Sequence, residues 1–424
     1  MTPTRLIAAK ALCRIQRDQS WSNLTLDSAI AENKLGLRDS SFVAALFYGV
    51  LERQITLDAC ISTHCDIKLK KLSLPVLVCL RLGIYQLLYM DKVPESAAVG
   101  ESVAAAKAMK QFKSTGLINA VLRSFLRDGR RVPSPDDPNQ RLSVEYSCPA
   151  ELIKLWIADY GEEQALKLLE RSVCRIPLYI RVNTLKTNCQ TLISRLAEIG
   201  KAARQTELDN CLILEGEGTP ARLAPFKEGL FYIQDKSSQL CAASLEAKPG
   251  MRVLDACCAP GSKSFTIAQI MENSGEITAC DIHPHRIGLV EQGAGLLGIT
   301  NIRTVACDMT IHNPDFRLFD RVLCDVPCSG LGVIRRKPEL KYKPLDEFSK
   351  LPEIQYKIFK NTSQYCKPGG IMVYSTCTLR RVENEEVVER FLAESPEFFL
   401  RSVRTFLGDE DTDGFFIAVL ERSA

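Results

Sequence analysis

Two short segments of this 424-residue chain place a cysteine among hydroxyl and carboxylate neighbours at the end of an apolar run. One is Asp325-Val-Pro-Cys328-Ser-Gly330; the other is Ser375-Thr-Cys377-Thr378. A thiolate is a strong nucleophile toward an electrophilic carbon, and a nearby acid stabilises charge that develops on the attacked group. The combination suits a pyrimidine. Carbon 5 of cytosine is too weak a nucleophile to take a methyl group until a thiolate adds at carbon 6, which breaks aromaticity and leaves carbon 5 enamine-like. A proton or strong hydrogen bond at N3 assists. Cys328, Cys377 and Asp325 are therefore the catalytic candidates. Most of the 17 cysteines read differently. There is no C-x-x-C and there are only four histidines, so no metal site is expected, and cysteines in apolar runs, such as Cys79 and Cys324, read as buried, reduced thiols.

A second constellation suits a cofactor. Val253-Leu-Asp255-Ala-Cys257-Cys258-Ala259-Pro260-Gly261-Ser262-Lys263 reads as a strand, a tight turn and a helix starting near Ser264. In an open α/β sheet, ligands bind beyond the carboxyl ends of the strands. The turn is neither G-x-G-x-x-G nor a Walker loop, which argues against a dinucleotide or a nucleoside triphosphate. The next strand ends at Asp281, suited to ribose hydroxyls, and the third is followed by Asp308, suited to an adenine amino group. A strand-end aspartate is often only a cap. Three at successive strand ends favour an adenosine without phosphates, and S-adenosyl-L-methionine fits that description.

The elements that must position these groups alternate. From Gly250 onward, β-branched runs at Arg252–Asp255, Glu276–Asp281, Asn301–Cys307, Arg321–Asp325 and Gly370–Ser375 are separated by helical stretches, predicting a parallel, doubly wound sheet. Phe398–Val403 and Gly414–Glu421 leave no room for a helix between them and are expected to form an antiparallel hairpin at the sheet edge. Residues 1–135 read as helices throughout, closed by Arg131-Val-Pro-Ser-Pro-Asp-Asp-Pro-Asn139. Residues 140–235 form a small mixed α/β linker module with strands at Leu178–Val182 and Cys211–Leu214, and 236–424 form the catalytic domain.

Composition limits the alternatives. Apolar residues make up 46% and charged residues 25%, an ordinary globular balance. The most apolar stretch, Leu72–Met90, is broken by Pro75, Arg81 and Gln86, so no membrane span is expected. Met1–Gln16 carries helical spacing without the pattern of a signal peptide, which places the protein in the cytoplasm by expectation. Residues 1–135 hold 19 Lys/Arg against 11 Asp/Glu, a balance of +8, while the remainder balances at −5. A basic helical domain on a near-neutral body suggests a polyanionic partner. Arg335, Arg336, Lys337, Lys341 and Lys343 form a basic loop read as a phosphate clamp. Arg181 is a further candidate RNA contact.

Taken together, Asp255–Lys263, Asp325–Gly330, Gly332-Val-Ile-Arg-Arg-Lys-Pro-Glu339 and Tyr374-Ser-Thr-Cys377 resemble the RNA cytosine-5 methyltransferases. Phe47-Tyr-Gly-Val-Leu-Glu-Arg53, Arg81-Leu-Gly-Ile-Tyr-Gln-Leu-Leu88 and Gly116-Leu-Ile-Asn-Ala-Val-Leu-Arg123 resemble the NusB-like helical domain. The combination resembles the RsmB/Sun/Fmu type. The resemblance implies an all-α NusB-like domain, a small α/β linker module and a Rossmann-like S-adenosylmethionine-dependent methyltransferase domain. It implies a monomer acting on cytosine 967 of 16S ribosomal RNA, free or in an assembling small subunit. By it, Cys377 is the nucleophile, Cys328 assists release of the methylated base and Asp325 contacts the base near N3. Cys257, Cys258, Ala259, Pro260, Gly261, Ser262, Lys263, Asp281, Asp308 and Asp325 hold the cofactor. The family's turn usually reads Ala-Ala-Pro-Gly-Gly-Lys. Here Cys258 and Ser262 depart from it, and a positive φ at 262 would strain Ser262.

Overall fold

Helical periodicity in the first part of the chain becomes a set of packed helices: Pro3–Asp18, Ser22–Glu32, Leu37–Glu52, Gln54–His64, Leu74–Tyr89, Glu95–Ala108 and Thr115–Arg127. The computed structural model describes residues 3–18, 20–174, 176–216, 219–408 and 412–424. These fall into two units, Met1–Cys174 with Ile334–Lys343, and Arg175–Val333 with Pro344–Ala424. The apolar stretch that could be mistaken for a span is the helix Leu74–Tyr89, buried on most of its surface from Val76 to Leu87. Its polar residues find partners within the unit. Arg81 donates two 2.7 Å hydrogen bonds to the Asp58 carboxylate, and Gln86 accepts one from Arg5. Two glycines let neighbouring helices approach: a Cβ at Gly49 would lie 2.0 Å from the Tyr85 ring, and one at Gly83 2.6 Å from Leu122. Among the described residues, no helix is long and apolar enough to cross a membrane.

Helices Pro138–Tyr146, Ala150–Tyr160 and Glu162–Ser172, assigned by the sequence to the mixed module, cluster with the helical unit instead. Thr56 Oγ1 donates to the Val144 carbonyl (2.5 Å), and Ser147 Oγ accepts from the Ile55 amide (2.9 Å). These bonds tie the later helices back to the earlier ones.

The second unit holds two sheets. Strands β1 (Leu178–Val182), β2 (Ala203–Gln205), β3 (Cys211–Leu214) and β4 (Phe231–Ile233) form an antiparallel sheet in the order β2-β3-β1-β4. Strands β5 (Arg252–Asp255), β6 (Glu276–Asp281), β7 (Ile302–Ala306), β8 (Phe319–Asp325), β9 (Cys366–Thr376), β10 (Phe398–Leu407) and β11 (Gly414–Arg422) form a sheet in the order β10-β11-β9-β8-β5-β6-β7. β5 to β9 pair in parallel, and β11 joins β9 and β10 antiparallel, giving the expected edge hairpin. The chain leaves β5 toward β6 on one side and returns to β8 on the other, so a crevice opens beyond the carboxyl ends of these strands. A buried polar seam ties the small sheet to the large one. Asn183 Nδ2 donates to the carbonyls of Gly229 and Leu297, both at 2.8 Å, and Asn183 Oδ1 accepts from Gln269. Gln234 donates to the Ser262 carbonyl and accepts from Thr266, gripping the first turn of the helix Ser262–Ile270.

Candidate active site

The large sheet delivers its strand-end residues to one pocket of about 600 Å3. Of the predicted site residues, Cys257, Ala259, Asp281, Asp308, Asp325, Cys328 and Cys377 line it. Cys258, Pro260, Gly261, Ser262 and Lys263 stand behind the lining as the turn that shapes it. Gly261 caps the helix Ser262–Ile270 with φ +112°, so the left-handed position falls on a glycine. A Cβ there would also meet the Phe265 ring at 2.5 Å. Ser262 is the first helical residue, and the expected strain at that position does not arise. The turn is held by Cys258, whose amide donates to the Cys280 carbonyl, and by Arg286, which donates to the Ala259 carbonyl.

The two strand-end aspartates after β6 and β7 do local work as well. Asp281 accepts from the His283 amide (2.9 Å) and pairs with Arg286 (3.1 Å). Asp308 Oδ1 accepts from both the amide and the hydroxyl of Thr310. Both still line the pocket. Apolar residues that the sequence did not single out, Ile282, Met309, Ile354 and Ile358, add walls suited to a flat ring. Asp255 lies just behind, wholly buried. Its Oδ2 accepts from Ser264 (2.5 Å), its Oδ1 has no partner, and burial pushes its carboxyl up to about 7.

At the other end of the pocket, Cys328 Sγ and Cys377 Sγ lie 3.3 Å apart. The hydrogen bond with Cys377, followed by burial and the nearby Glu383, holds the Cys328 thiol well above its ordinary value. Asp325 is fixed from two sides: Lys263 Nζ donates to Oδ2 (2.6 Å) and Ser375 Oγ donates to Oδ1 (2.8 Å). Burial opposes the Lys263 charge, yet Asp325, Cys241 and Cys377 around it leave the ammonium raised above its ordinary value. The arrangement is two thiols in contact beside a carboxylate locked by a cation. That geometry can add a sulfur nucleophile to a flat heterocycle and stabilise the charge that follows.

Two predicted RNA contacts are not available to RNA. Arg181 is buried and donates to the Asp209 carbonyl and to Gln239, both at 3.2 Å. Lys341, 3% exposed, donates to the Glu52 carbonyl (2.7 Å) at the end of the helix Leu37–Glu52. Burial lowers its ammonium to about 8. The segment Ile334–Lys343 packs into the helical unit by matching charge to helix ends. Its cation sits at that C-terminus, while the Glu339 carboxylate accepts from the Ser22 amide (3.0 Å) at the start of the helix Ser22–Glu32. Lys337 lies over the Trp21 ring at 4.9 Å, and Arg335 and Arg336 are half-buried. All described cysteines are free, and among the described residues no cluster of three His, Cys, Asp or Glu side chains is arranged for a metal.

Comparison with known proteins fixes the family. Over 99% of its length, and 99% of the relative's, the chain is 38% identical to "Probable ribosomal RNA small subunit methyltransferase B" of Bacillus subtilis (strain 168). It is 33% identical over the full length of both chains to the protein of the same name from Synechocystis sp.. Residues 242–421 match the family described as "16S rRNA methyltransferase RsmB/F", residues 2–127 the NusB family, and residues 148–220 the RsmF/B-like ferredoxin-like domain. The chain belongs to the RsmB/F methyltransferase family. Its fold is a NusB-like helical domain, a ferredoxin-like module and a Rossmann-like methyltransferase domain. The solved chain PH0851 has the same fold, with a TM-score of 0.86 over 100% of this chain and 99% of that one at 23% identity. A structure of NSun6 from Pyrococcus horikoshii with SFG, an S-adenosylmethionine analogue, covers 65% of this chain and 98% of its own, at 25% identity and a TM-score of 0.60. As a member of the RsmB/F family, this enzyme depends on S-adenosylmethionine. The pocket fits that cofactor: carboxylates stand at three strand ends and apolar walls flank them.

Proposed function

We propose that this protein methylates carbon 5 of a cytosine in 16S ribosomal RNA, with cytosine 967 as the target that the NusB-like domain and the family resemblance indicate. The observation that carries this reading is the Cys328–Cys377 pair, 3.3 Å apart beside Asp325 at one end of the cofactor pocket. The relatives' names supply the small-subunit ribosomal RNA.

Asp281, Asp308 and the Cys257–Lys263 turn hold the cofactor, which when bound supplies an electrophilic methyl group. Cys377 adds across the cytosine ring, its sulfur bonding to carbon 6 while N3 takes up one proton and hydrogen-bonds to Asp325. Lys263 and Ser375 keep that carboxylate in place. Carbon 5 is then nucleophilic and gains the methyl group. Release reverses the addition: the carbon 5 proton leaves to solvent, the carbon 6–sulfur bond breaks to return the Cys377 thiolate, and N3 gives up the proton it took, which restores the aromatic ring. Cys328, poised next to that sulfur, assists this step. The reaction takes place in the cytoplasm with a monomeric enzyme. Bisulfite mapping of 16S ribosomal RNA from cells with and without the gene tests the proposal. A single cytosine that loses protection in the deletion is expected; an unchanged map, or a change confined to transfer RNA, overturns it.

A further inference from the structure

We infer that the dipeptide Glu383-Asn384 positions the two cysteines separately, Glu383 through the Cys328 loop and Asn384 through the Cys377 loop. Both side chains are completely buried and neither lines the pocket. Glu383 Oε2 accepts from the Ser329 amide and from Gln355 Nε2, each at 2.9 Å, and Oε1 accepts from Arg380 (3.2 Å). Gln355 Nε2 also donates to the Pro327 carbonyl (2.9 Å). The residues on both sides of Cys328 are thus tied to one carboxylate, directly or through Gln355. Asn384 does the same for the second loop. Its Oδ1 accepts from Thr376 Oγ1 (2.5 Å) and its Nδ2 donates to the Thr378 carbonyl (3.0 Å), which fixes the residues flanking Cys377. The loops are cross-tied by the hydroxyls of Ser329 and Thr378 at 2.7 Å. The Tyr374 hydroxyl pins the dipeptide itself by donating to the Glu383 carbonyl (2.6 Å).

A buried carboxylate is costly unless fully hydrogen-bonded, and here Arg380 takes Oε1 while the Ser329 amide and Gln355, which frame the Cys328 sulfur, take Oε2. Misplacing a reacting atom by 1 Å costs on the order of 100-fold in rate. Adjacent residues with merely structural roles would fail alike. Positioning different cysteines, they fail in opposite ways. The sign of each failure rests on the proposed roles of Cys377 in attack and Cys328 in release.

The test uses the full-length enzyme with S-adenosylmethionine and labelled 16S ribosomal RNA, comparing Glu383→Gln and Asn384→Ala with Cys328→Ser and Cys377→Ser. Glu383→Gln is expected to bind cofactor normally in calorimetry and to form the protein–RNA adduct. It should then release product about 10- to 100-fold more slowly, so that adduct accumulates as in Cys328→Ser. Asn384→Ala is expected to slow adduct formation by a similar factor without trapping it, a partial form of the loss in Cys377→Ser. If Glu383→Gln does not fold, Gln355→Met, which cuts the tie to Pro327, carries the same expectation. Identical defects in the two variants, or wild-type release in Glu383→Gln, overturn the inference. If the cysteine roles are reversed, the two serine variants exchange phenotypes while Glu383→Gln still follows Cys328→Ser. That outcome rejects the proposed roles and leaves the positioning intact.

Discussion

Replacing Asp325 by Asn separates what the Lys263–Asp325 pair does for stability from what it does for chemistry. The side chains are 11% and 26% exposed, and the contact is 2.6 Å. Removing the carboxylate charge leaves the Lys263 ammonium with burial, the largest influence on it, no longer offset by its main partner. Leaving one member of a fully buried pair unpaired costs about 3–5 kcal/mol, and the partial exposure here puts the expected loss at the lower end, about 3 kcal/mol. Activity should fall further than stability suggests. The asparagine cannot accept from both Lys263 and Ser375 while meeting N3 as an anion, and losing one such electrostatic partner costs about 100- to 1,000-fold in turnover. The assay is a double-mutant cycle in urea with Asp325→Asn, Lys263→Met and the double variant, alongside single-turnover methylation. The double variant should regain most of the lost stability and none of the activity. If Asp325→Asn unfolds at the wild-type midpoint, or if the double variant is no more stable than Asp325→Asn, the pair is not a desolvated ion pair and the electrostatic account of the site is wrong.

Further outcomes follow from the same geometry. Lys341, held at about 8 against 10.5 when free in the unfolded chain, gives up its proton in the fold first. Stability should therefore rise with pH across that window, by roughly 3 kcal/mol, and the rise should be missing from Lys341→Met in paired denaturation curves. Asp281→Ala should weaken S-adenosylmethionine binding in calorimetry by at least about 10-fold while the melting temperature changes little, because its pocket-facing carboxylate contributes charge-assisted hydrogen bonds. Arg335→Ala with Arg336→Ala should flatten the salt dependence of RNA binding by about one phosphate contact per charge. Arg181→Met should leave that slope unchanged and lower stability, since its guanidinium is spent on Asp209 and Gln239.

The parts of this enzyme that were legible in its sequence are those written locally. Each β-branched run of the large sheet ends in, or near, the residue that the sheet carries to the pocket, so Asp281, Asp308, Asp325 and Cys377 could be read from strand ends alone. The hairpin β10–β11 was legible for the same reason: the ten residues between Val403 and Gly414 leave no room for a crossover helix. What depended on distant partners was not. Glu383, Asn384 and Gln355 look like ordinary polar residues around short helices, and only the folded chain brings them to the cysteine loops. Lys341 read as part of a phosphate clamp because nothing near it in sequence reveals the C-terminus of the helix Leu37–Glu52 that takes its charge. Ser262 looked strained because the turn's demand for positive φ cannot be assigned to one residue without the backbone, and it falls on Gly261. Helices Pro138–Tyr146, Ala150–Tyr160 and Glu162–Ser172 cluster with the helical unit, although residues 148–220 match the ferredoxin-like domain, because composition marks a linker and not the partner across it.

The central claim is that the two thiols at 3.3 Å have different duties, and a denaturing gel tests it most directly. Each serine variant is incubated with labelled RNA and S-adenosylmethionine and resolved beside the wild type. Cys377→Ser should give neither methylation nor a protein–RNA band, because a hydroxyl is a far weaker nucleophile than a thiolate toward carbon 6. Cys328→Ser should give a slow-migrating adduct that survives denaturation, because addition proceeds and release stalls. A trapped adduct in Cys377→Ser with none in Cys328→Ser would contradict the account and make Cys328 the nucleophile.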